Sequence, residues 1–337
     1  MQTARDQAAD WLTSRQRPDG SIPSKPTVVE ASYKVPWALQ RAGRPAEAAA
    51  ALDSVARLAD DAGDVPVPRA DEEFNCTHYL YANAYLTIGA LVLGRFDVSQ
   101  KLYGFVRGRQ QPVGGFTSQG PTRPEPTSLD TVSTCICGLA ALYVGDLSVA
   151  LAAGRFIDHV WQRQPHRDRV FYPLTTPDGE LLTQPFGDGP FVTVRVTEPD
   201  QDWYFVGIAT VFLAYLHIAT GDKHHLDLAC RVLDYLDGDC NPNAFVDPSC
   251  GKSGVGGALL HRLTGNPRYR EIAQEIAQRL VSRQCPSGAW REEPADDDDP
   301  DAPVWSDLDM TAEYVLWLTL IEQQLGQPAA VESFARD

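Results

Sequence analysis

The sequence predicts an all-α protein, an (α/α)6 toroid: a double ring of six inner and six outer helices with a small β-like insertion. Three observations carry this prediction. Six glycines, Gly43, Gly94, Gly145, Gly221, Gly265 and Gly326, each close a nearly uncharged stretch, and a helix-start signal follows each one. The stretches before and after these joints differ in kind, uncharged before and amphipathic after. A shorter motif, R-Q-x-P-x-G, recurs three times.

The joints read as αα-hairpins. Glycine past the last turn accepts a left-handed backbone, and an Asp or Asn cap, or a proline at the first helical position, opens the next helix. The signals are Arg44-Pro45, Asp97, Asp146, Asp222, Asn266-Pro267 and Gln327-Pro328. The joints are 51, 51, 76, 44 and 61 residues apart. Repetition at such a period marks a chain of similar supersecondary units.

The uncharged stretches, 77–94, 131–145, 203–220 and 311–321, lack a polar face, as helices buried on every side do. The amphipathic stretches, 4–16, 45–61, 97–110, 147–164, 222–237 and 267–284, carry one apolar face. Alternation of the two kinds suits an inner ring covered by an outer one. The R-Q-x-P-x-G copies are Arg15–Gly20, Arg109–Gly114 and Arg283–Gly288, each followed within two residues by Ile22, Phe116 or Trp290. Each ends an amphipathic stretch, where Pro stops the helix and Gly turns the chain.

The longest spacing holds an insertion, residues 168–198. Short apolar runs, Val170-Phe171-Tyr172 and Phe191-Val192-Thr193-Val194, alternate there with the turn signals Pro177-Asp178-Gly179 and Gly187-Asp188-Gly189. A small β-hairpin or three-strand excursion over one mouth of the ring is expected, as a lid or a structural flap. One domain over residues 1–337 accommodates all six hairpins.

Composition narrows the partners. The chain has 337 residues, 43% of them hydrophobic, and a net charge of −16 from 29 Lys+Arg against 45 Asp+Glu. That charge excludes a polyanion such as nucleic acid as main partner, and an anionic membrane surface. The N-terminal residues lack an apolar signal core, so a cytoplasmic location is expected. Residues 203–220 are long enough to span a bilayer, but they read as a buried inner helix and not as a membrane span. The 7 cysteines include no C-x-x-C pair, so neither a disulfide framework nor a zinc ribbon is expected. No phosphate-binding glycine motif occurs in a suitable context. The acidic run Asp296–Asp299 with Asp301 reads as a solvated loop. The expected partner is a small-molecule substrate, without cofactor or metal.

In a helix ring, the inner-helix starts share one mouth. The groups there are Glu30 and Tyr33; Cys76, His78, Tyr79 and Tyr81; Asp130, Thr134 and Cys135; Asp200, Asp202, Trp203 and Tyr204; Asp247, Cys250 and Lys252; and Asp307, Asp309, Glu313 and Tyr314. Any single aspartate there also serves as an ordinary helix cap. As a set, they supply general acids and bases, with aromatic faces for a cationic intermediate or a sugar ring.

Trp305-Ser306-Asp307-Leu308-Asp309-Met310-Thr311-Ala312 resembles the D-x-D-D-T-A motif of class II terpenoid cyclases, with Met310 in place of the last aspartate. Gln284–Trp290 is similar to their Q-W repeats, and Gln111–Phe116 to the glycine-rich repeat of protein prenyltransferase β subunits. The placement of His78 and Cys135 resembles that in linalool dehydratase-isomerase, a single toroid acting without cofactor on an isoprenoid alcohol. The resemblance implies Asp309 as general acid, with His78, Asp130, Cys135, Asp307 and Glu313 in base, tuning or orienting roles. By their places at the inner-helix starts, Tyr33, Tyr79, Tyr81, Trp203, Tyr204 and Tyr314 are the candidates to line the substrate, whether a cationic intermediate or a sugar. The zinc set of the prenyltransferases is incomplete, because Asp247 and Cys250 lack their histidine.

The leading expectation is a cofactor-independent cyclase, isomerase or lyase on a small, largely apolar, isoprenoid-like substrate. One alternative is a carbohydrate-active toroid, a glycoside hydrolase, lyase or epimerase, using paired Asp/Glu. Another is a toroid that binds a ligand without catalysis.

Overall fold

The structure, a computed structural model, describes residues 1–65, 78–120, 128–184, 193–199, 201, 203–238, 240–241, 244, 250–291 and 303–327. Twelve α-helices are described: α1 (Gln2–Ser14), α2 (Val35–Arg41), α3 (Pro45–Ala56), α4 (Tyr81–Val92), α5 (Phe96–Arg107), α6 (Thr131–Val144), α7 (Leu147–Arg163), α8 (Tyr204–Thr220), α9 (Lys223–Gly238), α10 (Gly251–Thr264), α11 (Pro267–Ser282) and α12 (Trp305–Leu325). Five short strands accompany them: β1 (Phe116–Thr117), β2 (Leu129–Asp130), β3 (Val170–Phe171), β4 (Leu174–Thr175) and β5 (Val194–Arg195).

The alternation follows side-chain polarity. In α4, α6, α8 and α10 an unbroken run of ten or more residues is buried. In α5, α7 and α9 only one face is buried. Gly43, Gly94, Gly145, Gly221 and Gly265 take φ between 72° and 83°, as the hairpin joints require. Gly326 does not take a left-handed backbone; there α12 simply ends.

The chain divides into two compact units. The first holds α1 to α5 and most of α12; the second holds α6 to α10, most of α11 and all five strands.

The recurring glutamine is the joint of each repeat. In the first unit, Gln16 Nε2 donates to Gly20 O at 3.2 Å and to Glu47 O at 2.8 Å. Gln284 Nε2 donates to Gly288 O at 2.8 Å and to Ala4 O at 2.7 Å, tying α1 to the segment after α11. In the second unit, Gln110 Nε2 donates to Gly114 O at 2.9 Å and Val149 O at 3.0 Å. Each glutamine thus closes its own turn and satisfies a carbonyl in the first turn of an amphipathic helix. The turn glycines are obligatory: a Cβ on Gly20 would lie 2.0 Å from Ala50 O.

Among the described residues, the insertion contributes strands to two sheets. β3 pairs with β5, whereas β4 leaves the segment to join β2, whose other neighbour is β1. Asp130 is thereby paired on both sides, with Phe116 and with Leu174.

Candidate active site

Among the described residues, each unit carries a buried cluster of ionisable side chains that includes candidate residues.

In the second unit the cluster is built around His78, whose side chain is 2% exposed. Its Nδ1 lies 2.8 Å from Asp130 Oδ2 and its Nε2 lies 2.8 Å from Tyr204 Oη. Asp130 sits at the point where β2 becomes α6. Its carboxylate accepts from Val132 N at 2.9 Å and Ser133 N at 2.7 Å, capping the helix. Because a carboxylate only accepts, the proton of the neutral imidazole belongs on Nδ1, which leaves Nε2 to accept the Tyr204 hydroxyl. Asp130, fixed by two strands and a helix start, therefore sets both the orientation and the tautomer of His78.

Tyr204 opens α8, and its ring lies under the Lys252 ammonium, 5.5 Å from centroid to Nζ. Lys252 is 4% exposed and sits in the first turn of α10. Glycine sets the approach of α8 to α10: a Cβ on Gly207 would lie 2.4 Å from Ser253 N and 2.6 Å from the Lys252 Cβ.

Three further candidates in this unit lie around the cluster. Cys135 is fully buried, and burial, with the Asp130 charge behind it, pushes its thiol well above the ordinary range. It stays a neutral thiol at physiological pH. Trp203 is buried among core side chains. Tyr79 is half-buried; its N–H donates to Ser118 O at 3.1 Å and its ring fills the space beside Gly120.

In the first unit, α12 begins at Trp305, not near 311, so Asp309 and Glu313 lie inside it, four residues apart on one face. Both carboxylates reach Lys34, Asp309 Oδ2 at 2.8 Å and Glu313 through an even shorter contact. Trp317 Nε1 donates to the other Glu313 oxygen at 2.8 Å. Lys34 is 3% exposed. Burial alone would discharge it, but the Asp309 and Glu313 carboxylates outweigh burial and hold it well above the ordinary lysine range. The cluster is thus an ammonium between carboxylates.

Aromatic rings pack around this triad. Tyr33 meets Tyr81 and Tyr85 edge-on, with centroids 6.1 and 5.5 Å apart, and the Lys34 ammonium lies 5.1 Å from the Tyr33 centroid. Burial raises all three phenols above their ordinary range.

Two candidates stand apart from the triad. Asp307 pairs with Arg291 at 3.4 Å. Tyr314 packs edge-on against Trp290, with centroids 5.3 Å apart. Glu30 is buried near the start of α2. Cys76, Asp200, Asp202, Asp247 and the run Asp296–Asp299 lie outside the described residues.

Sequence reasoning missed Lys34 and Tyr85 and set Lys252 aside. A signal was present. Only five lysines occur in the chain, against 24 arginines, and these two stand in apolar surroundings at helix starts. Among the described residues, no group of three or more His, Cys, Asp or Glu is arranged to hold a metal ion. No described helix is long and apolar enough to cross a membrane.

No protein-family model matches the chain, and no curated protein matches its sequence. Solved structures do match in fold. An alpha-1,6-mannanase of Salegentibacter sp., as an inactive variant with two adjacent aspartates replaced, bound to alpha-1,6-mannotetrose, superposes with a TM-score of 0.66 at 14% identity; 96% of this chain and 99% of that one are covered. A D-mannose isomerase gives 0.66 at 14% identity, covering 96% of each chain. A type II terpene cyclase from Scytonema, bound to geranylgeranyl dihydroxybenzoate, gives 0.56 at 12% identity, covering 96% and 97%. At this level of identity the likeness establishes architecture alone. The chain has the (α/α)6 toroid fold, shared with enzymes that are mostly carbohydrate-active and with one terpene cyclase.

Proposed function

We propose that the chain is a cofactor-independent acid–base enzyme acting on a carbohydrate, as an isomerase or epimerase that moves a proton on a carbon next to a carbonyl. The observation that carries this reading is His78, held at Nδ1 by Asp130 and at Nε2 by Tyr204. A buried imidazole with a fixed tautomer and a hydroxyl on its second nitrogen is a proton-transfer element; such a group contributes about 10²- to 10⁴-fold to rate. Sugar isomerisation needs that chemistry and no redox group.

A hydrolase reading fits the clusters less well. Glycoside hydrolysis needs two carboxyl groups flanking the scissile bond, one of them protonated. Asp309 and Glu313 instead converge on one lysine. Neither cluster holds two adjacent aspartates, the pair replaced in the inactive mannanase. The charged Lys34 also counts against Asp309 as the proton donor of a terpenoid cyclisation. The same ammonium already occupies the Tyr33 face that would steady a carbocation.

The test is a panel of free aldoses and ketoses, D-mannose and D-fructose included, incubated with the protein and followed by proton NMR. Interconversion of an aldose with its ketose or epimer is the expected result. No turnover across the panel, with turnover of an isoprenoid alcohol or polyene, would replace this reading with the cyclase one.

A further inference from the structure

We propose that Tyr204 is the group that exchanges a proton with the substrate, and that Lys252 is a positioning residue that keeps its phenolic oxygen ready to carry negative charge. The proposal rests on the acid–base reading of the site and names its reacting atom.

Three observations lead there. His78 is 2% exposed and both of its ring nitrogens are engaged, whereas Tyr204 is half-buried. A substrate therefore meets this chain of hydrogen bonds at the phenol, with His78 behind it and Asp130 behind His78. Second, the Lys252 ammonium lies 5.5 Å from the Tyr204 ring centroid, with its side chain 4% exposed. A positive charge in that place stabilises negative charge on the phenolic oxygen, and low local polarity strengthens the effect. Third, the placement is rigid. Gly207 stands one turn after Tyr204, and its missing side chain lets the α10 backbone at Lys252 and Ser253 touch α8.

The proton balance closes within the site. The Tyr204 hydroxyl passes its proton to His78 Nε2, leaving a phenolate beside an imidazolium whose Nδ1–H is held by Asp130. The phenolate oxygen takes the proton from the carbon next to the sugar carbonyl. The C–H electron pair becomes a C=C bond and the carbonyl π pair moves onto oxygen, giving an enediolate. If the hydroxyl proton crosses between the two substrate oxygens and Tyr204 returns its proton to the adjacent carbon, the isomer forms. If the enediolate first turns its other face to Tyr204, return of the proton to the same carbon gives the epimer. The imidazolium then restores the Tyr204 hydroxyl. No oxidant or reductant is consumed.

The titratable and charged groups facing Tyr204 include His78 and Lys252, with Asp130 beyond His78. This permits a test without any substrate. Tyrosine labelled with ¹³C at Cζ is followed by NMR from neutral to alkaline pH, the Tyr204 signal being identified by its loss in Tyr204→Phe. In Lys252→Met, Tyr204 should require about a tenfold lower proton concentration to ionise than in the wild type. Lys252→Arg should restore the wild-type curve. If Lys252→Met does not fold, Lys252→Gln carries the same comparison. Superimposable curves for the wild type and the charge-removing variant would overturn the role of Lys252. A chain that turns over no sugar while its Tyr204 curve responds to Lys252 would fail the functional reading and leave the Lys252 role standing. With D-mannose in D2O as probe, Tyr204→Phe should lower kcat for deuterium uptake about 100-fold with KM little changed. Wild-type uptake by Tyr204→Phe would remove Tyr204 from the reaction.

Discussion

The carboxylate of Asp130 lies 2.8 Å from His78 Nδ1 and at the same time caps α6 through the N–H groups of Val132 and Ser133. One side chain thus serves as helix cap and as histidine orienter. The two roles separate in Asp130→Asn. The amide still offers an oxygen to the helix start, but its NH2 is a donor and cannot accept from Nδ1. His78 must then change tautomer or lose the contact. The expected result is a fall in kcat of about 100-fold or more with a stability loss near 1 kcal/mol. Steady-state kinetics and urea denaturation on the same variant check both halves.

Lys34 makes a separate prediction, about stability. Removing one partner of a buried ion pair leaves the other charges uncompensated, at a cost of about 3–5 kcal/mol. Lys34→Met should lose about that much in urea unfolding at neutral pH. The pH dependence has a definite sign. Lys34 is held above its unfolded value of about 10.4, so its contribution is fully present below that pH and disappears as pH rises through the higher folded value. The stability gap between the wild type and Lys34→Met should therefore persist from neutral into mildly alkaline pH and fade in strong alkali, while in acid it narrows as Asp309 and Glu313, left without their cation in the variant, take up protons. A gap that closes in mild alkali, below the ordinary lysine range, would contradict the ammonium between carboxylates.

Gly207→Ala removes no polar group, yet its methyl would fall 2.4 Å from Ser253 N. Helix α10 must shift, and Lys252 with it. Overpacking of this kind costs about 1–3 kcal/mol. Thermal unfolding should show that loss. Activity should fall further than the remaining folded fraction explains, because the cation moves away from Tyr204. Gly104→Ala, on a helix where a Cβ meets nothing within 4 Å, is the matched control.

The repeat glutamines test the architecture. Gln110→Ala and Gln284→Ala each remove a side chain that donates to two backbone carbonyls. Leaving such groups unmatched costs about 1–3 kcal/mol. Each variant should unfold at lower urea concentration, with the site chemistry unchanged. Equal stability to the wild type would mean that water replaces the glutamine without cost.

What could be read in the sequence was local. Five of the six glycine joints take the left-handed backbone that their helix-stop chemistry demands, and Asp146 caps α7 as its position suggests. Gln16, Gln110 and Gln284 sit at matching places because each answers the same short-range problem. Long-range pairing was out of reach. Nothing near Asp309 announces a lysine 275 residues away. The pairing of β4 with β2 joins two-residue strands too short to leave a pattern. The start of α12 was missed because Ser306 and Asp307 look like residues ahead of a helix, whereas acids are also favoured inside its first turn. In the site, His78, Asp130 and Tyr204 were each legible as residues at helix starts; their hydrogen-bond order was not.

In the proposed reaction His78, through the Tyr204 hydroxyl, relays the proton that leaves and returns to a sugar carbon, and solvent exchange measures that transfer. The protein is incubated with D-mannose and with D-fructose in D2O, and deuterium uptake next to the carbonyl is followed by NMR for the wild type and His78→Gln. Uptake by the wild type is expected, with a loss of about 10²- to 10⁴-fold in the variant and its circular dichroism unchanged. Equal uptake by a folded His78→Gln protein would contradict the relay.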